Sequence, residues 1–203
     1  MKHFGQIVFT DHVKAEQDLR GSREMYEGMV ARPAPGGFGE RETVFISLRD
    51  SFYMATVSED GWPYIQHRGG PRGFLTVLSP TRLGFADYRG NRQYVSVGNL
   101  QTEKRVSLFL MDYPNRARLK LLGHARVQEA AANPDLAETL AIDGQGKVER
   151  LFTLDIEAFD WNCPQFITPR FTEAELAASL SPMVDELQSL RQENAFLKQE
   201  LGR

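Results

Sequence analysis

The 203-residue sequence predicts a mainly β fold, an antiparallel barrel with flanking helices and a C-terminal helical tail. Three observations point to it. Between residues 41 and 160, short runs rich in β-branched and aromatic residues are separated by turn signals. The helical segments do not alternate with these runs, which disfavours a parallel α/β sheet. From residue 172 onward the texture changes to a helical repeat.

Residues 1–40 mix charge, methionine and glycine and close on the turn-rich ARPAPGGFGE. A helix is expected over 11–29, with Asp11 near its start. Two roles fit this segment: an arm packed over the barrel or a partner, and a semi-ordered leader. A short helix, ETVFISLR, precedes the first strand, SFYMATV; the turn SEDG then leads to its hairpin partner, WPYIQHR. FLTVL and LGFADY flank the turn SPTR, and RVSLFLMD is followed by the longer RARLKLLGHARV. In that longer strand Leu119, Leu121, Gly123, Ala125 and Val127 alternate with Lys120, Leu122, His124 and Arg126, so one face meets a core. Asn133-Pro134 opens a helix over NPDLAETLAI. The final strand, VERLFTLDIEAF, turns Phe152, Leu154, Ile156 and Ala158 inward and Thr153, Asp155 and Glu157 outward. Seven short strands with tight turns favour a closed antiparallel barrel. The expected organisation is an arm over 1–40, a barrel domain over 41–170 and a helix over 171–203.

The tail starts on a capping box, Thr172 to Glu175, and Ser181-Pro182 is a second N-cap and N1 pair where a break or kink is expected. Leu180, Leu187, Asn194 and Leu201 then fall at heptad a positions, with Met183, Leu190 and Leu197 at d. Glu186 and Glu193 at g match Arg191 and Lys198 at e of a parallel partner. Three destinations fit this stripe: a second copy, a helix of another protein, or the chain's own barrel.

Charge is nearly balanced, at −3 with a pI near 5.9, so the chain lacks the basic field of a general nucleic-acid binder. Cys163 is the single cysteine, which excludes an intrachain disulfide. Asp11 and Lys14 interrupt the N-terminus before a signal peptide can form, and no run approaches the ~20 apolar residues of a membrane span. A cytoplasmic location is expected.

The chemistry concentrates between Trp62 and Asn99, in WPYIQHRGGPRGF and FADYRGNRQYVSVGN. Arg68, Arg72, Arg89 and Arg92 stand at strand ends and turns, and Gly69, Gly70, Gly73 and Gly90 keep bulk away from the backbone there. Asn91, Arg92 and Gln93 sit where a helix over Gln93–Leu100 begins. A helix N-terminus with a guanidinium and amide side chains beside it is a phosphate cradle; the same residues also suit a surface turn making structural ion pairs. His67 is a candidate proton-transfer group because imidazole titrates near neutrality. His124 is a weaker one. No His/Cys/carboxylate spacing suits a metal, and no nucleophile elbow or Walker loop is present.

The ordered words GWPYIQHRGGPRGF, FADYRGNRQ, RVSLFLMDY and RLKLLGHARV resemble the pyridoxamine 5′-phosphate oxidase-like, FMN-binding split-barrel proteins over residues 40–165. The resemblance is nearest to an uncharacterised flavin-nucleotide-binding branch, in which the late strand ends in a word like Trp161-Asn162-Cys163-Pro164-Gln165. It implies an antiparallel split β-barrel binding FMN in a homodimer, with flavin sites at the subunit interface. By that resemblance Gln66, His67 and Arg68 line the ring and ribityl chain, and Asn91, Arg92 and Gln93 grip the phosphate. Arg118 and Lys120 reach the flavin from nearby or across the dimer, and Trp161 to Gln165 closes the site from the second subunit. The oxidase itself usually carries lysine where Gln93 stands, and its C-terminal substrate-phosphate residues have no match here. Three functions remain open: an FMN-dependent oxidoreductase, a flavin-binding sensor or carrier with the tail as output, and a split barrel holding haem or a deazaflavin.

Overall fold

Strand boundaries follow the alternation of side chains. In the computed structural model, which describes residues 1–161 and 165–202, SFYMATV forms β1 (Ser51–Val57) with Phe52, Met54 and Thr56 buried. The order along the chain is α1 (Phe4–Val8), α2 (Asp11–Leu19), α3 (Arg23–Val30), α4 (Glu40–Ser47), β1, β2 (Pro63–Gly69), β3 (Thr76–Ser79) and β4 (Arg82–Tyr88). It continues with α5 (Val95–Thr102), β5 (Arg105–Asp112), β6 (Ala117–Glu129), α6 (Pro134–Leu140), β7 (Val148–Trp161) and α7 (Glu173–Glu200). The strands make one antiparallel sheet in the order β2-β1-β5-β6-β7-β4-β3. The fold is thus mainly β with flanking helices.

The sheet curls until its two ends meet through side chains. Phe52 on β1 packs edge-on to Phe85 on β4, with ring centroids 5.5 Å apart, and Phe85 stacks on Phe152 of β7 at 4.7 Å. The barrel is split, as the family resemblance implied, and not closed, as the strand count alone favoured, because β2 and β3 form the two edges and do not pair. β3 is short, four residues, and its register with β4 shifts between Val77 and Ser79, which removes the straight edge that closure requires.

Three further expectations change. The single helix over 11–29 is two helices, α2 and α3. Gly21, at φ +69°, ends α2 in a Schellman motif: its N–H bonds the Asp18 carbonyl at 3.2 Å, and the Ser22 N–H bonds the Gln17 carbonyl at 2.9 Å. Thr153, expected outward, is buried. The face of β7 opposite the main core is covered here by α6 and a turn at Ala130–Ala132, whose Ala130 and Leu140 cluster with Leu151. The break at Ser181-Pro182 is absent: α7 runs from Glu173 to Glu200 with Pro182 inside it. The Ala178 carbonyl that loses the Pro182 N–H stands on an exposed stretch, where water can satisfy it. The capping box does form, with the Thr172 hydroxyl accepting from the Glu175 N–H at 3.2 Å.

The arm lies on the sheet. The Lys2 N–H donates to the Glu157 carbonyl at 2.8 Å, and Phe4 of α1 sits beneath the Lys120 ammonium at 4.8 Å. Among the described residues no helix is long and apolar enough to cross a membrane.

Candidate functional site

Where the sheet is split, a cavity of about 410 Å³ opens between β2, the end of β4, the turn after it and the start of α5. Period-two geometry decides which β2 side chains face it. Tyr64, Gln66 and Arg68 lie opposite Thr56, Met54 and Phe52 of β1, on the inner face. Ile65 and His67 fall on the other face.

Arg68 crosses the split. One guanidinium nitrogen reaches the Asp87 carboxylate at 2.8 Å, and Arg150, the cross-strand neighbour of Asp87 on β7, holds the second oxygen at 2.9 Å. All three side chains are only 13–14% exposed, so the cluster works with little solvent screening. Burial pushes the Arg68 pKa below the ordinary arginine value despite Asp87. Burial also opposes the Arg150 charge, but Asp87 and the Tyr94 hydroxyl outweigh it and the pKa rises. The Arg68 Nε is buried and makes no hydrogen bond among the described residues. Two guanidinium groups therefore share Asp87, and Arg150 also reaches the Glu149 carboxylate at 3.2 Å, so this cluster is close to charge-balanced.

The turn from Arg89 to Tyr94 brings the positive surplus, through Arg89 and Arg92. Arg92 (φ 63°) and Tyr94 (φ 55°) both occupy the left-handed region, a conformation that costs a non-glycine residue about 1–2 kcal/mol. The Asn91 side-chain oxygen accepts from the Gln93 N–H at 3.2 Å and tightens the turn. Tyr94 is the N-cap residue of α5 but supplies no side-chain cap, and the first-turn residues Val95, Ser96 and Val97 line the cavity. Ser96 in that first turn donates its hydroxyl to the Gln66 side-chain oxygen at 2.8 Å and orients the amide. Hydrogen bonds from Arg92 and then Arg150 hold the Tyr94 hydroxyl pKa below its ordinary value. The lining thus combines Arg68, Arg89, Arg92 and Arg150 with a single carboxylate, Asp87, beside a helix N-terminus. That arrangement is chemically suited to an anion.

The structure gathers part of the expected set. Gln66, Arg68, Asn91, Arg92 and Gln93 line the cavity together with Arg89. His67 borders it, but its ring is turned to the outer face against Tyr53, with centroids 5.5 Å apart. Arg72 lies elsewhere, 3.7 Å from Glu175 at the base of α7. Arg118 and Lys120 are on the outer face of β6: Arg118 stands over the Phe109 ring at 5.6 Å, and Lys120 pairs with Asp160 at 2.7 Å. Trp161 packs edge-on to Phe45 and donates its indole N–H to Glu42 at 2.7 Å. Gln165 is exposed and outside the cavity lining. Asn162, Cys163 and Pro164 lie outside the described residues. His124 is beside Glu157 at 3.7 Å, away from the cavity. Among the described residues no group of three His, Cys, Asp or Glu side chains suits a metal.

Sequence reasoning missed Asp87, Tyr94, Ser96 and Arg150. The first three sat within the singled-out words, and Asp87, as the lone acid among arginines, was a readable signal. Arg150 carried none, because only the β4–β7 register brings it opposite Asp87.

Similar solved structures include the HupZ protein of Group A Streptococcus, at 12% identity with TM-score 0.49, covering 66% of this chain and 99% of that one. A putative pyridoxamine 5′-phosphate oxidase from Lactobacillus delbrueckii is 22% identical with TM-score 0.48, covering 62% and 95%. An FMN-binding protein from Syntrophomonas wolfei is 11% identical with TM-score 0.41, covering 72% and 97%. No curated protein matches the chain. Residues 40–151, from α4 into β7 and including most of the cavity lining, match the family model described as pyridoxamine 5′-phosphate oxidase. With more than half of its length matched, the chain belongs to the pyridoxamine 5′-phosphate oxidase family.

Proposed function

We propose that the cavity binds the phosphate end of FMN and that the protein is an FMN-dependent oxidoreductase acting on a small molecule. The observation that carries this reading is the uncapped N-terminus of α5 opening among four arginines and one carboxylate. A phosphate dianion would accept from the free amides and from Arg89 and Arg92, and it would complement the surplus charge that those two arginines bring to the lining. The volume, about 410 Å³, suits a small ligand.

When bound, a flavin supplies hydride transfer. The chain's own part is to bind and orient. Asp87 holds Arg68 and Arg150 in place, Ser96 aims the Gln66 amide, and Phe85 and Val97 give the cavity an apolar wall. His67, turned outward, is not assigned a proton-transfer role within one chain. Arg118, Lys120, Trp161 and Gln165 would meet a flavin only if a second copy presented them, so this reading includes a homodimer with the sites between subunits. Pyridoxamine phosphate itself is not the substrate proposed, given Gln93 and the helical tail in place of the oxidase's C-terminal residues.

A second reading, a flavin sensor or carrier without turnover, is favoured by the exposed α7, which offers an output surface. The visible spectrum of the purified protein tests the cofactor: FMN gives blue absorption and is released on denaturation, whereas a Soret band would replace this reading with haem. Reduction by NADH or NADPH with reoxidation by an acceptor separates enzyme from sensor. Arg92→Ala is expected to weaken FMN binding by about tenfold or more, the scale of one charge-assisted contact. Unchanged affinity would place the phosphate elsewhere.

A further inference from the structure

α7 is 28 residues long, about 42 Å at the α-helical rise, and none of its residues is buried. Among the described residues, its base is tied to the barrel by the ion pair between Arg72 and Glu175. Because the helix is continuous through Pro182, the heptad register extends back by one step to Leu176 at d. The a and d residues Leu176, Leu180, Met183, Leu187, Leu190, Leu197 and Leu201 are between 46% and 73% exposed. Packing against the chain's own barrel, one destination the sequence left open, does not occur in the structure. Pro182 falls at c, on the side away from this stripe, so the backbone hydrogen bond it removes does not interrupt the seam.

We infer that α7 is one strand of a parallel, in-register, two-stranded coiled coil formed with a second copy of this chain. Charge complementarity selects the partner and its direction. In a parallel pair Glu186 at g meets the partner's Arg191 at e, and Glu193 meets the partner's Lys198. In an antiparallel pair g faces g and e faces e, which would set Glu186 and Glu193 against glutamates and Arg191 and Lys198 against cations. Asn194 agrees. In the parallel register its amide meets the partner's Asn194 and both are satisfied, whereas an antiparallel register sets it against an apolar d residue. The same sequence thus complements itself in one orientation only. Such a pair emerges with both barrels at the same end, next to the Thr172 cap of each helix.

The test uses the full chain with Cys163→Ser and spin labels placed singly at Asp185→Cys or Gln199→Cys, on the outer side of α7. The expected result is one short interchain distance, of about 20–30 Å for two helices ~10 Å apart, equal at the two positions. Unequal distances would mean antiparallel pairing, and the absence of an interchain distance would mean an unpaired tail; either overturns the proposal. A second measurement uses self-association. Glu186→Lys with Glu193→Lys is expected to raise the dissociation constant about tenfold or more, as four interhelical attractions become repulsions. Arg191→Glu with Lys198→Glu should do the same, and mixing the two variants should restore association. Association unaffected by either pair of reversals would also refute it. These readouts do not involve the flavin, so they stand or fall apart from the proposed activity.

Discussion

Asp87→Ala removes the one carboxylate shared by Arg68 and Arg150, whose side chains are each 14% exposed. Breaking a buried ion pair by deleting one partner costs about 3–5 kcal/mol, because the remaining charge stays desolvated. Here Arg68 loses its carboxylate partner, while Arg150 keeps Glu149 at 3.2 Å and both retain some exposure, which moderates the loss. A destabilisation of about 3 kcal/mol is expected, a large share of the 5–15 kcal/mol typical of a folded domain. In equilibrium urea unfolding with a slope of about 2 kcal/mol per molar, the midpoint falls by about 1.5 M. Inorganic phosphate should restore more of the stability in the variant than in the parent, since it replaces the missing anion. The triple substitution Arg68→Met, Asp87→Leu, Arg150→Met separates two roles: it should keep most of the stability and lose the phosphate effect. A midpoint shift below about 0.5 M would mark Asp87 as an ordinary solvated pair. The idea that this cluster clasps the split of the sheet would then be refuted.

Two other outcomes follow from single positions. Gly123→Ala should lower the melting temperature by about 5–10 °C, the equivalent of ~2–3 kcal/mol of overpacking in a chain this long. A Cβ there would lie 2.3 Å from the Asp155 carbonyl oxygen and 3.0 Å from the Ile156 Cα, both backbone atoms beside a register shift; an unchanged melting temperature would contradict that approach. Glu103 is held at a pKa of about 2, against an ordinary 4.5, by the Arg105 side chain and then by the Arg105 backbone N–H. A depressed carboxylate contributes stability that is fully present above pH 4.5 and is lost as pH falls through about 2, so Glu103→Gln should flatten that part of the acid-unfolding profile. Carbon-detected NMR titration of Glu103 checks it directly, and a midpoint near 4.5 would overturn it.

What could be read from the sequence was local. Alternation over SFYMATV and RVSLFLMD defines strands because side chains on a strand point to opposite faces within the same few residues. The Thr172 to Glu175 capping box closes within one helical turn. The candidate anion-site turn was legible for the same reason, with Asn91, Arg92 and Gln93 adjacent in one word near the start of a helix. His67 shows the rule neglected: between Gln66 and Arg68 on one strand, it has to point the other way. Tertiary structure alone decided the rest. The pairing of Asp87 with both Arg68 and Arg150 joins residues 19 and 63 positions apart, through the curl of the sheet and the β4–β7 register. The failure of β2 and β3 to pair, the cover over Thr153 and the departure of Arg72 to the base of α7 likewise depend on how distant elements meet. Composition and period specify what each segment can be, while long-range register and packing specify which charges share a carboxylate. For this chain, that sharing turns a set of scattered arginines into a candidate anion site at the split.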